Sequence, residues 1–193
     1  EIIATRMLLD AHGNVAEPGY AKRPLPVYRR ADIKAGKARI KEWDYYFIGN
    51  RQIGVALTVA DNGYMGLDSV TFFNFDEAWE RTVSPMSVLP MGRRKMPESS
   101  ASGDVVSRDK KHSISFVHEG NTRVLSFRIE DFLDGRPIHG RIVLSGEPEE
   151  SMVLATPFKA PGHFYYNQKI NCMPAEGYAM VDGKIHKFEP DTA

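Results

Sequence analysis

Acids and aromatics interleave in Glu42-Trp43-Asp44-Tyr45-Tyr46-Phe47, a run with apolar groups at positions of both parities. A strand of that pattern sets at least one carboxylate against buried surface, where it must be paired, hydrogen-bonded or protonated. Protonated, Asp44 is a general acid; paired, it caps a backbone or holds an arginine. The second stretch runs from His163 to Pro174. Read as a strand, it puts Phe164, Tyr166, Ile170 and Cys172 on an apolar face and Tyr165, Asn167, Lys169 and Asn171 on a polar one. Solvent is the ordinary destination of such a polar face. In a lined pocket, the two carboxamides and the amine orient a carbonyl or carboxylate, and a desolvated Lys169 serves as an acid-base group.

Other chemistries lack their signatures. There is no Gly-rich loop ending in Gly-Lys-Ser/Thr, no Gly-x-Ser-x-Gly, no His-Glu-x-x-His and no Cys-x-x-Cys. The six histidines are scattered. Only His112 and His118 share a strand face, and that face reads as solvated surface, so no metal site is expected. No cofactor is expected either. Cys172 reads as a buried, inert thiol, since a free cysteine packs as a small hydrophobe. Arg93-Arg94-Lys95, with Arg108, Lys110 and Lys111 beyond, reads as a solvated basic loop.

The elements that must position these groups are strands. Short β-branched and aromatic runs recur between Gly, Pro, Asn and Asp, with little sustained helical spacing. Thr5 to Leu9 opens the chain, and Pro18, Pro24 and Pro26 make an extended covering segment. Ala38–Ile48 and Gln52–Ala60 flank the turn Gly49-Asn50-Arg51, and the face Gly54, Ala56, Thr58, Ala60 is small throughout, leaving room for a layer or a ligand. Leu67–Phe75 reads as buried on both faces, and Glu77–Arg81 as one helical turn or a loop. Met91–Asp104 is a long loop. Ser113–His118, Thr122–Ile129 and Ile138–Leu144 form a meander through Glu119-Gly120-Asn121 and Asp134-Gly135, and Asp182-Gly183 joins Tyr178–Val181 to Lys184–Phe188. The expectation is one all-β domain over 1–193, an antiparallel β-barrel or strongly curved β-sandwich built of meander hairpins.

Composition narrows the partners. The 193 residues carry 25 Lys and Arg against 25 Asp and Glu, which argues against nucleic acid. No apolar stretch reaches the roughly 18 residues of a membrane-spanning helix, and Glu1–Asp10 lacks a signal-peptide pattern. One cysteine and no Asn-x-Ser/Thr acceptor suit a cytoplasmic location. The final Glu189-Pro190-Asp191-Thr192-Ala193 is a polar run just after a hairpin, and the chain reads as the N-terminal part of a longer protein.

At Arg39-Ile-Lys-Glu-Trp-Asp-Tyr-Tyr46, at Val59-Ala-Asp-Asn-Gly-Tyr-Met-Gly66 and at Tyr165-Tyr-Asn-Gln-Lys-Ile-Asn-Cys-Met-Pro-Ala-Glu-Gly177, the chain resembles a microbial family described as a domain of unknown function. That family is grouped with lipocalin-like proteins of the hydroxyneurosporene synthase (carotenoid hydratase) type, and the resemblance covers the N-terminal part of its members. It implies a lipocalin-like, calycin-type barrel or curved sandwich closing round an apolar interior, and a second, Trp- and Gly-rich region after the point where this chain stops. It transfers no catalytic residue.

The resulting expectation is a lipocalin-like domain holding a small apolar or amphipathic molecule, with Asp44, Tyr46, Asp61, Asn167, Lys169 and Asn171 lining or bordering the pocket. An alternative is a hydratase or cyclase on a terpenoid-like substrate, with Asp44 or Asp61 as proton donor and Trp43, Tyr45 and Tyr46 as an aromatic wall for the cation. A third is a structural half that packs on a further region. An unpaired sheet edge would give a homo-oligomer.

Overall fold

The computed structural model describes residues 1–193. Sixteen strands and two 3-10 turns (Arg30–Asp32, Lys37–Arg39) account for its regular structure, so the chain is all-β as expected. In chain order the strands are β1 (Arg6–Met7), β2 (Gly19–Ala21), β3 (Pro26–Val27), β4 (Glu42–Gly49), β5 (Ile53–Asp61), β6 (Met65–Asn74), β7 (Trp79–Val83) and β8 (Met86–Val88). They continue as β9 (Val105–Arg108), β10 (His112–Glu119), β11 (Thr122–Leu133), β12 (Arg136–Leu144), β13 (Met152–Pro157), β14 (Phe164–Lys169), β15 (Ala175–Val181) and β16 (Lys184–Phe188). No helix is long and apolar enough to cross a membrane.

The chain forms two compact units, each assembled from three separate segments. The first takes Glu1–Gly36, Pro97–Gly103 and Glu147–Met173. Its three-stranded sheet runs β14-β13-β2, with β1 and β3 paired in parallel beside it. Ile2, Leu8, Leu9, Ala21, Val153 and Ala155 make its core, with Phe164 and Tyr166 packed against them. The Tyr166 hydroxyl donates to the Pro26 carbonyl at 2.8 Å, and burial pushes its pKa up to about 12.

The second unit takes Lys37–Met96, Asp104–Gly146 and Pro174–Ala193. One sheet is β4-β5-β6-β7, with β8 also on β6; the other is β16-β15-β12-β11-β10-β9. Their inner faces pack together. Tyr46 lies 4.6 Å from Phe116 between ring centres, Phe72 lies 5.0 Å from His186, and Arg81 Nε donates to the Phe132 carbonyl at 3.0 Å. The core is Val55, Leu57, Val70 and Phe72 from one sheet and Ile114, Phe116, Leu125 and Ile142 from the other, all essentially buried.

The sheets do not close into a barrel. The chain leaves the first sheet after β8 and enters the second at β9 with no ladder between those strands, and β4 and β16 stay edges. The architecture in this unit is a two-sheet sandwich. Its hairpins sit where turn chemistry puts them. Asn50 Oδ1 accepts the Gln52 and Ile53 N–H groups at 2.9 Å each, fixing the β4–β5 turn. Asp182 and Gly183 take φ of 53° and 73°, as a two-residue hairpin turn requires. Of Glu77–Arg81, read from sequence as helical turn or loop, Glu77 and Ala78 lie in the β6–β7 turn, whereas Trp79–Arg81 begin β7, because Trp79 pairs opposite Asn74 and the ladder carries the rest.

Candidate functional site

In the second unit, alternation along β4 turns Glu42, Asp44, Tyr46 and Ile48 toward the opposing sheet, while Trp43, Tyr45 and Phe47 fall on the outer face and are exposed. Register sets Asp44 opposite Val59 and Tyr46 opposite Leu57. The facing sheet brings His118 and Arg123, which are paired across β10 and β11. Arg123 is only 6% exposed, and its Nη1 donates to the Tyr46 hydroxyl at 3.4 Å. Asp44, Tyr46, His118 and Arg123 therefore form a polar group on the inner faces of an otherwise apolar sandwich. Burial raises the Asp44 pKa, against the opposing pull of Arg123 and then His118.

A second polar group centres on Asp68, 2% exposed, on the inner face of β6. Arg94 grips it from both sides: Nη1 bonds Oδ1, and Nη2 bonds Oδ2 at 3.1 Å. Ser107 donates to Oδ2 at 2.7 Å, and His112 Nε2 lies 3.0 Å from the same oxygen. The other His112 nitrogen faces Asp109 at 2.9 Å. Asp61, fully buried, accepts the N–H of Gly63 at 3.0 Å and those of Gly92 and Arg94 at 2.9 and 3.4 Å. These two carboxylates tie the 89–95 segment to the sheet. Leu89, Met91 and Lys95 there all have positive φ (51°, 54° and 51°), and the Asp61 and Asp68 bonds hold that strained path.

The six residues expected to border a pocket thus fall in three places. Asp44 and Tyr46 converge with Arg123, and Asp61 closes a backbone turn at the end of β5. Asn167, Lys169 and Asn171 belong to the first unit. Asn167 is half-buried on β14, and Lys169 and Asn171 are exposed. The strand ends at Lys169, so the alternation read across His163–Pro174 does not extend to Asn171 and Cys172. Cys172 is exposed at φ 62°, which corrects the buried thiol expected from sequence: the residue caps a loop and packs in no core. His112 and His118 do share a face, but it is the inner one, because the partner sheet covers it. The aromatic wall Trp43, Tyr45, Tyr46 is split by the pleat, with only Tyr46 beside Asp44. Sequence reasoning missed Arg123 and Asp68; the one available signal was a charged residue inside a strand of otherwise core-forming spacing. No set of three His, Cys, Asp or Glu side chains is arranged to hold a metal ion.

The raised pKa of Asp44 has a thermodynamic signature. A carboxyl whose pKa rises on folding holds its proton more tightly in the folded state. Its stabilising contribution is then complete below the ordinary 3.8 and falls as pH rises through the folded value. Asp44→Asn should flatten that decline, raising the unfolding midpoint by a few degrees at pH 7 and leaving it nearly unchanged at pH 3. Thermal unfolding across pH checks this, and a lowered midpoint at pH 7 would show Asp44 acting as a needed partner of Arg123.

Comparison with curated proteins and with solved structures returns no match for the chain. The family model described as Domain of unknown function (DUF2804) matches residues 1–193, and the chain belongs to that family.

Proposed function

We propose that the second unit binds a small amphipathic molecule whose anionic end meets Arg123 and Tyr46, the type of ligand suited to a lipocalin-like domain. One observation carries the reading: a guanidinium 6% exposed inside a sandwich stands beside a carboxyl that burial drives toward its neutral form. The Arg123 guanidinium can meet an incoming carboxylate with two-pronged geometry. The Tyr46 hydroxyl adds a second polar contact beside Arg123.

Titration of the chain with a fluorescent long-chain fatty acid tests this. Wild type should bind, Arg123→Gln should bind about tenfold or more weakly, and Asp44→Asn should bind at least as tightly because the competing carboxylate is gone. Equal uptake by wild type and Arg123→Gln, or no uptake by either, sinks the reading. The raised pKa of Asp44 favours one second reading, proton donation from Asp44 to an alkene of a terpenoid-like substrate. That reading requires turnover which Asp44→Asn abolishes while binding survives.

A further inference from the structure

An antiparallel sheet that packs one face on a core ordinarily turns a polar face to water. The sheet β4-β5-β6-β7 of the second unit does not. The outward positions of β4 are Trp43, Tyr45 and Phe47, in register with Ala60, Thr58 and Ala56 of β5, and those of β8 are Met86 and Val88. No outward position of β4, β5, β6 or β8 carries a charge, and Glu80 on β7 marks the rim. The large apolar side chains that stand out from this face range from 39% exposed at Trp43 to 80% at Val88. An uncharged, aromatic-rich and Met-bearing patch with a polar rim is the make-up of a protein interface.

The face also has relief. β4 makes an aromatic ridge, and beside it Gly54, Ala56, Thr58 and Ala60 of β5 make a trough with no side chain larger than threonine. Phe47, Phe73 and Phe75 gather over Gly54 and close one end, with ring centres 6.0 Å apart for the first two and 5.9 Å for the last two. The hydroxyls beyond the trough are paired with one another, Thr71 with Thr82 at 2.8 Å and Ser69 with Ser84 at 3.0 Å, so covering this face deprives none of them of a partner.

We propose that a second copy of this chain packs on this face, ridge into trough, as a two-fold symmetric dimer. A two-fold axis lying along the strands between β4 and β5 sets the Trp43, Tyr45 and Phe47 row of each copy over the Ala60, Thr58 and Ala56 row of the other, because the register pairs those rows level for level. The surface thus complements itself, whereas a charged partner would find no opposite charge at its centre. Area agrees. At roughly 200 Å² for a whole aromatic side chain, the half-exposed rings of Trp43, Tyr45, Phe47 and Phe75 with Met86 and Val88 offer about 600 Å². A standard interface takes about 800 Å² from each partner, and the trough supplies part of the remainder. The inner group of Asp44, Tyr46 and Arg123 lies on the opposite side of the same sheet, so the dimer leaves it uncovered.

Sedimentation velocity of the whole chain across about 1–100 μM, the weak end for interfaces of this size, is the test. Wild type should show a monomer–dimer equilibrium that about 1 M salt does not weaken, since no ion pair holds it. Tyr45→Glu, which puts a charge on the exposed ridge, should weaken dimerisation about tenfold or more, and so should Thr58→Lys, which fills the trough. Tyr45→Ser should act in the same direction without adding a charge, which keeps the test open if a charged variant unfolds. Phe158→Glu, at an exposed aromatic of the first unit, should leave the equilibrium unchanged. A monomer at every concentration, or a dimer that the Tyr45 and Thr58 variants leave intact, would overturn the proposal. A monomer that cosediments with uncharged lipid vesicles would do so too, and would give this face to a lipid surface.

Discussion

Asp68→Ala should unfold the second unit at markedly lower denaturant, with a loss of about 3–5 kcal/mol. The substitution removes the acceptor shared by Arg94, Ser107 and His112 and strands a guanidinium that is 15% exposed with its side chain pointing into the sandwich. The loss is mainly the penalty of an uncompensated buried charge, so it should persist at 1 M salt, where an exposed pair would already have been screened. The same logic gives the rescue: replacing Asp68 and Arg94 together by apolar residues of similar volume should recover much of the deficit. A loss of less than about 1 kcal/mol for Asp68→Ala would mean that water reaches Arg94 and that the cluster is peripheral.

Gly177→Ala should cost more than about 3 kcal/mol, the second large effect. Gly177 sits in β15 opposite Ile142 with φ 151°, and a Cβ there would run into the Arg141 carbonyl and the Ile142 Cα. Those are backbone atoms of a central strand, so no rotamer change relieves the clash. Gly183 supplies the contrast: it has φ 73° but open space around it, so Gly183→Ala should cost only the 1–2 kcal/mol of left-handed backbone. Equilibrium unfolding of the two variants side by side reads the difference, and equal costs would show that the approach of β12 to β15 is not tight.

Turn chemistry was legible because it is local. Asn50, Gly120 and Asp182-Gly183 sit at hairpins whose flanking strands match the alternating runs within a few residues. Asp44 and Tyr46 were legible for the same reason, since the parity of β4 alone sends them one way and Trp43 and Tyr45 the other. The Asp68 cluster was not. Its partners lie 26, 39 and 44 residues along the chain, on the 89–95 segment, β9 and β10, so no window around Leu67–Phe75 contains the signal. A buried strand with one Asp looked like a buried strand. Asn167, Lys169 and Asn171 misled in the opposite sense: alternation was carried past Lys169, where β13 runs out of pairing partners and the ladder stops. Barrel closure likewise depends on whether β8 and β9 meet, a pairing that the long Met91–Asp104 segment does not specify.

The threading of each unit from three separate segments constrains how the chain is made. β2, at Gly19–Ala21, pairs only with β13, at Met152–Pro157, so the first unit's sheet must wait on the ribosome until about four-fifths of the chain has emerged. β12 waits for β15 in the same way. Closing loops that long is slow, and until it happens β2 and β12 present unpaired edges to any neighbouring chain. The local ladders of β4–β8 and β9–β12 can form as they emerge, but the β2–β13 and β12–β15 pairings finish late, and until then the nascent chain depends on being kept apart from its copies. The same interleaving protects the finished molecule: a single protease nick at any crossing leaves every sheet with its strands still held by the others, so a cut chain stays whole until it is denatured.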